Sequence, residues 1–429
     1  MFNTKIFIKL KNNLFKGFAI YLGSSLINKA IPFFLLPILT RYLTTEEYGI
    51  LAMYQVMISF GMPIVGMNMA SNITRNFYSK SKEFVARLVF NLFIVLTVSS
   101  TIFLLFISVY LLAGGTQFSI PQRWLYVLPL IAFMNMVNSF NLTILRNRKR
   151  AVEYGGFEIS RTIIDLSLTI LLIVVYTYGW EGRATGILVG SLFIGIISVF
   201  RIWQSGYLFF ELDTDQIKEI LRISLPLIPH ALGGVIITLG DRIFIDQMVS
   251  TSAVGVYTVG YQFGMIMTLV VMAFNKTWSP WMYELLAEEK EENKKIIVKA
   301  TYLVSGSFIL LALGVTGISY FLLPVMTSEA YHGGFVFVIW IAMGYAFNGM
   351  YMLVFPYGVH VGKTTYLGVT TFIAAIINLI VNYYLISING PLGAAQATLL
   401  SYGIMFISVW WYSNKLYPMP WLNFKIHQK

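Results

Sequence analysis

The chain contains no cysteine. It can form no disulfide, present no thiolate nucleophile and bind no zinc through sulfur. Charge is scarce too: only 11% of the 429 residues are Asp, Glu, Lys or Arg. A soluble domain carries about 25%, because its surface must face water. So thin a supply cannot cover a soluble surface of this length, which excludes a soluble enzyme, a nucleic-acid binder and a disordered chain. Histidine is rarer still. His230, His332, His360 and His427 lie in separate segments and none neighbours a carboxylate pair in sequence, so no metal set or catalytic triad is visible.

What fills the sequence is hydrocarbon. Hydrophobic residues make up 57% of the chain, and the mean hydropathy is +0.72. The solvent for most of the chain is therefore lipid. A spanning helix needs about 20 mostly apolar residues. Twelve stretches qualify: 14–39, 48–69, 88–112, 124–145, 159–178, 184–203, 223–247, 255–275, 300–323, 334–355, 365–387 and 391–412. The first follows Lys5, Lys9, Lys11 and Lys16, like the core of a signal peptide, but it is too long for one and lacks a small-residue cleavage site. It is expected to stay as the first span.

The net charge is +11. Of the 30 Lys and Arg residues, 24 fall in the termini and every second loop, and only Arg41, Arg123 and Arg183 fall in the opposite loops. Cytoplasmic loops carry such a basic excess. The split predicts twelve spans with both termini in the cytoplasm. Reporter fusions at Lys82, Arg150 and Glu289 should all report cytoplasm, and a periplasmic signal at any one breaks this layout. The outward loops are too short to form a domain. Among the inward segments, 276–299, with Trp278, Trp281, Leu285 and Leu286 ahead of the run Glu288–Glu292, reads as an interfacial amphipathic helix.

The sequence repeats weakly. Thr44-Thr45-Glu46-Glu47-Tyr48-Gly49-Ile50 opens the second span, and Ser250-Thr251-Ser252-Ala253-Val254-Gly255-Val256 opens the eighth. Gly49 and Gly255 are 206 residues apart, close to half the chain. This predicts two six-helix lobes, residues 1–211 and 212–429, entering the membrane from the same side. The first and seventh spans hold equivalent places and both are interrupted, by Pro32 and Pro37 and by Pro226, Pro229, Gly233 and Gly234. Interrupted helices in corresponding places point to a transport site.

Charges inside spans are the informative residues, because each costs about 2.5–3.5 kcal/mol at a helix centre on insertion scales. Lys29 lies near the middle of the first span. Glu158, Arg161 and Asp165 fall on one face of the fifth, where Arg161 and Asp165 are placed to pair or to line a wet lumen. The seventh carries Asp241, Arg242 and Asp246. Lys29, Arg161 and Arg242 are the candidate substrate-binding cations, and Asp165 and Asp241 the candidate ion-coupling carboxylates. Asn135, Asn138, Asn141, Asn378 and Asn382 are expected to bridge helices.

Two stretches carry a family resemblance. Leu39-Thr40-Arg41-Tyr42-Leu43-Thr44-Thr45-Glu46-Glu47-Tyr48-Gly49 resembles the first-loop signature of the Wzx-type O-antigen flippases, and Gly240-Asp241-Arg242-Ile243-Phe244-Ile245 with Gly255-Val256-Tyr257 resembles their seventh-helix signature. These proteins form part of the polysaccharide-transport branch of the MOP (multidrug/oligosaccharidyl-lipid/polysaccharide) exporter superfamily, which is MATE-like. The resemblance implies an all-α membrane protein of about twelve transmembrane helices, with two lobes around a central cavity. It implies a flippase of the bacterial cytoplasmic (inner) membrane, moving an undecaprenyl-pyrophosphate-linked oligosaccharide by alternating access. The partners implied are that lipid-linked substrate and other polysaccharide-assembly proteins, with no nucleic acid. No cofactor is expected beyond a coupling H+ or Na+. Two other readings stand beside it: a cation-coupled multidrug exporter of the same superfamily, and a membrane polysaccharide polymerase, which usually needs a large outward loop.

Overall fold

The computed structural model describes residue 23 and residues 33–115, 118–363 and 365–422. Every regular element among them is a helix. In chain order these are α1 (Phe33–Tyr42), α2 (Thr45–Gly66), α3 (Ala70–Phe77), α4 (Lys82–Leu112), α5 (Gln122–Leu125), α6 (Leu128–Asn147), α7 (Ala151–Ile170) and α8 (Gly179–Gln204). Then follow α9 (Thr214–Ser224), α10 (Leu227–Met248), α11 (Thr251–Gly264), α12 (Ile266–Ala287), α13 (Glu291–Met326), α14 (Phe335–His360), α15 (Thr365–Asn389) and α16 (Pro391–Leu416).

Among the described residues, ten helices or helix runs are long and apolar enough to cross a membrane. They coincide with ten of the twelve expected stretches. The fifth expected stretch is helical as α7, extended by a π turn at Leu171–Val175, but Glu158, Arg161 and Asp165 lower its apolarity. Only Phe33–Tyr42 of the first is described, and Lys29 and Pro32 lie outside the described residues. The helices expose rows of large apolar side chains, such as Val98, Ile102, Leu105, Phe106 and Val109 on α4. In a chain whose solvent is lipid, such faces are the ones that meet acyl chains, and helices satisfy their own backbone polar groups there. The protein is thus a multi-pass membrane protein.

The chain gathers into two compact units. One holds the chain up to Leu43 and Met53–Ala231; the other holds Thr44–Ala52 and the chain from Leu232 onward. The core of the first is built from Val65, Met69 and Ile73, from Leu88, Leu92 and Leu96 of α4, and from Val137, Phe140 and Ile144 of α6. The short amphipathic α9 closes this core with Ile220. Asp213 caps α9, accepting from the backbone N–H groups of Asp215 and Gln216 at 3.0 Å. Asn91 on α4 donates to Gln216 Oε1 at 3.2 Å, and Asn72 donates to Ser224 at 3.1 Å. Leu225 and Pro226 break the helix between α9 and α10, so the expected interruption of the seventh span is real at Pro226. Beyond it, α10 is continuous through Pro229, Gly233 and Gly234.

In the second unit α14 is the central helix, and most of it is buried. It is apolar on all sides, as a helix surrounded by other helices must be. Here one expectation is corrected. The stretch Trp278–Leu286 is no separate interfacial helix but the end of α12, and Trp278, Met282 and Leu286 are buried. Trp278 donates its indole N–H to the Leu353 carbonyl of α14 at 3.3 Å. The same apolar pattern serves either an interface or a helix–helix contact, and α14 supplied the contact.

The repeated heptapeptides are helix starts. Thr44 and Glu47 form a capping box on α2: the Thr44 N–H donates to Glu47 Oε2 at 2.9 Å, and the Glu47 N–H to Thr44 Oγ1 at 3.2 Å. Ser250 caps α11 by accepting from the Ala253 N–H at 3.1 Å. The two starts cross inside the second unit, and they cross reciprocally. A Cβ on Gly49 would lie 1.9 Å from the Thr251 carbonyl oxygen, and one on Gly255 would lie 2.0 Å from that of Thr45. Only glycine permits so close a backbone approach. Alongside, Tyr331 donates to the Thr44 carbonyl at 2.8 Å and Gln262 to the Tyr48 hydroxyl at 2.8 Å.

Candidate functional site

Two clusters of ionisable side chains sit on membrane helices, one in each unit. In the second unit α10 places Asp241 and Arg242 in the interior, 1% and 4% exposed. Arg242 donates Nη1–H to Asp241 Oδ1 at 2.8 Å and to the Thr238 carbonyl, one turn back, at 3.0 Å. A charge at this depth needs a partner, and here it lies on the adjacent residue. Arg242 and Asp246 stand four apart, yet they do not form the pair; Asp246 accepts from Thr251 Oγ1 at 2.7 Å.

Aromatic rings close around the pair. Tyr257 of α11 donates its hydroxyl to Asp241 Oδ2, and the Arg242 guanidinium lies 4.2 Å from the Tyr261 ring centroid and 5.5 Å from that of Tyr257. A cation over a ring face is stabilised by the ring quadrupole, more so when both are desolvated. The Tyr261 and Tyr345 hydroxyls meet at 2.7 Å, and Tyr402 of α16 packs at a tilt against Tyr345, the ring centroids 5.6 Å apart. On α15 and α16, Asn382 donates to Asn378 Oδ1 at 2.9 Å and Asn378 to Ser401 at 3.0 Å. Asn382 Oδ1 is buried without a hydrogen-bond partner. Asn378 thus bridges to α16 as the sequence implies, whereas Asn382, among the described residues, bonds only within α15.

In the first unit the charges of α7 are divided between two neighbours. Arg161 donates to Asn135 Oδ1 of α6 at 2.7 Å, and Ser191 of α8 reaches the same oxygen at 3.3 Å. Asp165 is held by Arg183 at 2.6 Å, and Arg183 also donates to Thr169 at 2.7 Å. Of the two readings of Arg161 and Asp165, the pair within the helix is therefore corrected: each bonds to a neighbouring helix instead. Arg183, assigned to an outward loop from sequence, stands in the second turn of α8 and enters the ion pair from there. Asn138 accepts from Ser198 of α8 at 3.1 Å. Asn135, Asn138 and Asn141 thus each hydrogen-bond to α7 or α8.

Sequence reasoning located Arg161, Asp165, Asp241 and Arg242; Lys29 lies outside the described residues. It missed Arg183 and the tyrosines 257, 261, 345 and 402. Tyr257 and Tyr261 stand four apart on one face of α11, a signal that was there to be read.

The pairings have a chemical meaning. In the second unit the carboxylate and the guanidinium neutralise one another. A cation on Asp241 would compete with Arg242, and an anion on Arg242 would compete with Asp241. In the first unit Arg161, among the described residues, hydrogen-bonds a neutral amide rather than a carboxylate, so its charge is the less committed of the two.

A family model described as polysaccharide biosynthesis protein matches residues 14–286. A protein of the Lsg locus of Haemophilus influenzae is 28% identical over 281 residues, covering 65% of this chain and 68% of that one. An uncharacterized membrane protein of the same organism is likewise 28% identical over 281 residues, covering 64% and 67%. Among solved structures, an inward-facing multidrug resistance MATE family transporter of the MOP superfamily is similar with a TM-score of 0.66 at 14% identity, over 90% of this chain and 94% of that one. The lipid II flippase MurJ in an inward closed conformation is similar with a TM-score of 0.66 at 17% identity, over 91% and 86%. At these identities the likeness is one of fold.

Proposed function

Because this chain belongs to the polysaccharide biosynthesis protein family and has the fold of MOP-superfamily transporters, we propose that it is a flippase. Its substrate would be an oligosaccharide repeat unit linked to undecaprenyl pyrophosphate, carried across the bacterial cytoplasmic membrane by alternating access. The observation that carries this reading is the buried Asp241–Arg242 pair on a membrane helix. Ionisable groups at such a place are costly and mark ion or substrate pathways.

The headgroup to be moved is anionic and sugar-bearing, so it needs cations away from water. Lys29 and Arg161 supply them in this proposal, and Arg242 joins when its partner is neutralised. H+ or Na+ on Asp241 would release Arg242 toward pyrophosphate, and dissociation of that ion would restore the pair. The coupling ion thereby acts through its differential affinity for two arrangements of one ion pair. Asp165, already held by Arg183, would take the corresponding part in the first unit.

Deletion of the gene tests the reading. Lipid-linked repeat units should still be assembled but should accumulate on the inner leaflet, and surface polysaccharide should fall to background until a plasmid copy restores it. Unchanged surface polysaccharide in a strain with no second flippase overturns the proposal. Drug hypersensitivity with normal surface glycan would replace it by the exporter reading that the MATE-like fold also admits.

A further inference from the structure

The first unit contains a groove that neither ionisable cluster uses. It runs between α7 and α8, with a volume of about 500 Å3, and is lined by Gly156, Phe157, Ser160, Ile163 and Ile164 on one wall and by Phe193, Ile194 and Ile197 on the other. The α7 wall extends from Glu153 to Ile164, about 16 Å at a rise of 1.5 Å per residue. Two of its apolar side chains are open, with Ile163 56% and Phe193 49% exposed. The opening is written into the sequence. Gly156 stands where any larger side chain would fill it, and a Cβ there would meet no atom within 4 Å.

One end of the groove is cationic. Glu153 lies at that end and accepts from both Arg150 and Arg201. One carboxylate against two guanidinium groups leaves a net positive charge. Arg150 and Arg201 keep 50% and 35% of their side chains exposed, so part of their five donors each still points outward. Guanidinium forks match phosphate oxygens bidentately. Arg146, Arg148 and Lys149 add to the basic charge of the adjoining turn. A hydrocarbon slot with a phosphate-seeking mouth fits an amphiphile whose chain is apolar and whose head is anionic.

We infer that the α7/α8 groove holds the polyprenyl chain of the substrate lipid, with its pyrophosphate at Arg150 and Arg201 before the headgroup passes to Lys29, Arg161 and Arg242. This rests on the flippase reading for its choice of occupant. It gives the groove the task of keeping the hydrocarbon anchor in place while the sugar head is handled elsewhere.

The test uses purified full-length protein in phosphatidylethanolamine nanodiscs and a benzophenone-bearing polyprenyl diphosphate. Illumination should label peptides containing residues 156–164 or 193–197. Unlabelled polyprenyl diphosphate should compete, and phosphatidylglycerol at the same concentration should not. Gly156→Trp fills the groove without meeting a neighbour at its root, and Ser160→Phe fills it one turn on. Each should cut labelling at least tenfold with an unchanged melting temperature, and each should lower surface glycan in cells. Gly156→Ala should label like the wild type. Label elsewhere, equal labelling of both filled variants, or equal competition by phosphatidylglycerol overturns the inference and leaves the flippase reading standing. The opposite failure is distinct: normal surface glycan in the deletion strain, with labelling intact, removes the flippase reading and leaves a prenyl-lipid groove.

Discussion

Arg242→Leu should remove most of the protein from the membrane fraction, and Asp241→Leu should do the same. Each leaves one charge buried and unpaired, which costs about 3–5 kcal/mol. A domain's whole stability is only about 5–15 kcal/mol. The double variant Asp241→Leu/Arg242→Leu should restore abundance, because an apolar pair of similar volume replaces a buried ion pair at little cost. It should not restore transport. Abundance and melting temperature read the structural part; surface glycan reads the functional part. Single variants that accumulate like the wild type would contradict the sealed pair with its 2.8 Å contact. A double variant that transports normally would take ion coupling away from Asp241.

The second large effect lies at the crossing of α2 and α11. Gly255→Ala puts a carbon about where the Thr45 carbonyl oxygen now sits, 2.0 Å away, and Gly49→Ala does the same to Thr251 at 1.9 Å. The obstacle is backbone on both sides, so no side chain can turn aside. Overpacking of this kind costs about 1–3 kcal/mol and sometimes more. Both variants should lose abundance and glycan export to a similar degree, since the contacts are equivalent. Gly314→Ala on α13, where a Cβ meets nothing within 4 Å, is the control and should be neutral or slightly stabilising. A Gly255→Ala protein with wild-type abundance and transport would mean that the two helix starts separate freely.

Much of this architecture is legible in one dimension, because a bilayer imposes a length and a composition on every span. Ten apolar stretches match ten helical runs, and the asparagines on α6 and Asn378 on α15 bridge helices as their type and depth imply. The misses share a cause: they depend on which helix lies alongside. Gly179–Arg183 reads as a linker by composition, yet it forms the first turns of α8, and that is how Arg183 reaches Asp165. Trp278 has the same hydropathy at an interface as against α14. The tyrosines around Arg242 come from three other helices, with Tyr261 and Tyr345 separated by 84 residues. No periodicity within one helix reports such a partner. Pairing of Asp241 with its own neighbour was concealed by the roughly 100° between successive helical positions. The long arginine side chain turns back across that angle, also reaching the Thr238 carbonyl.

The crossing of the helix starts also has the form of an isologous interface, the kind that two identical subunits make about a two-fold axis, where residue i meets j and j meets i. Thr45 meets Gly255 and Thr251 meets Gly49, with 206 residues between each member and its counterpart. A half-length chain pairing with its own copy would draw both contacts from a single Thr-x-x-x-Gly, and one mutation would strike both at once. In this chain the requirement stands twice and independently. The residues around it differ, Thr44-Thr45-Glu46-Glu47-Tyr48 against Ser250-Thr251-Ser252-Ala253-Val254, with one start closed by a capping box and the other by a lone serine. A chain that carries two such helix starts is free to vary each of them everywhere except where it must still fit the other's backbone.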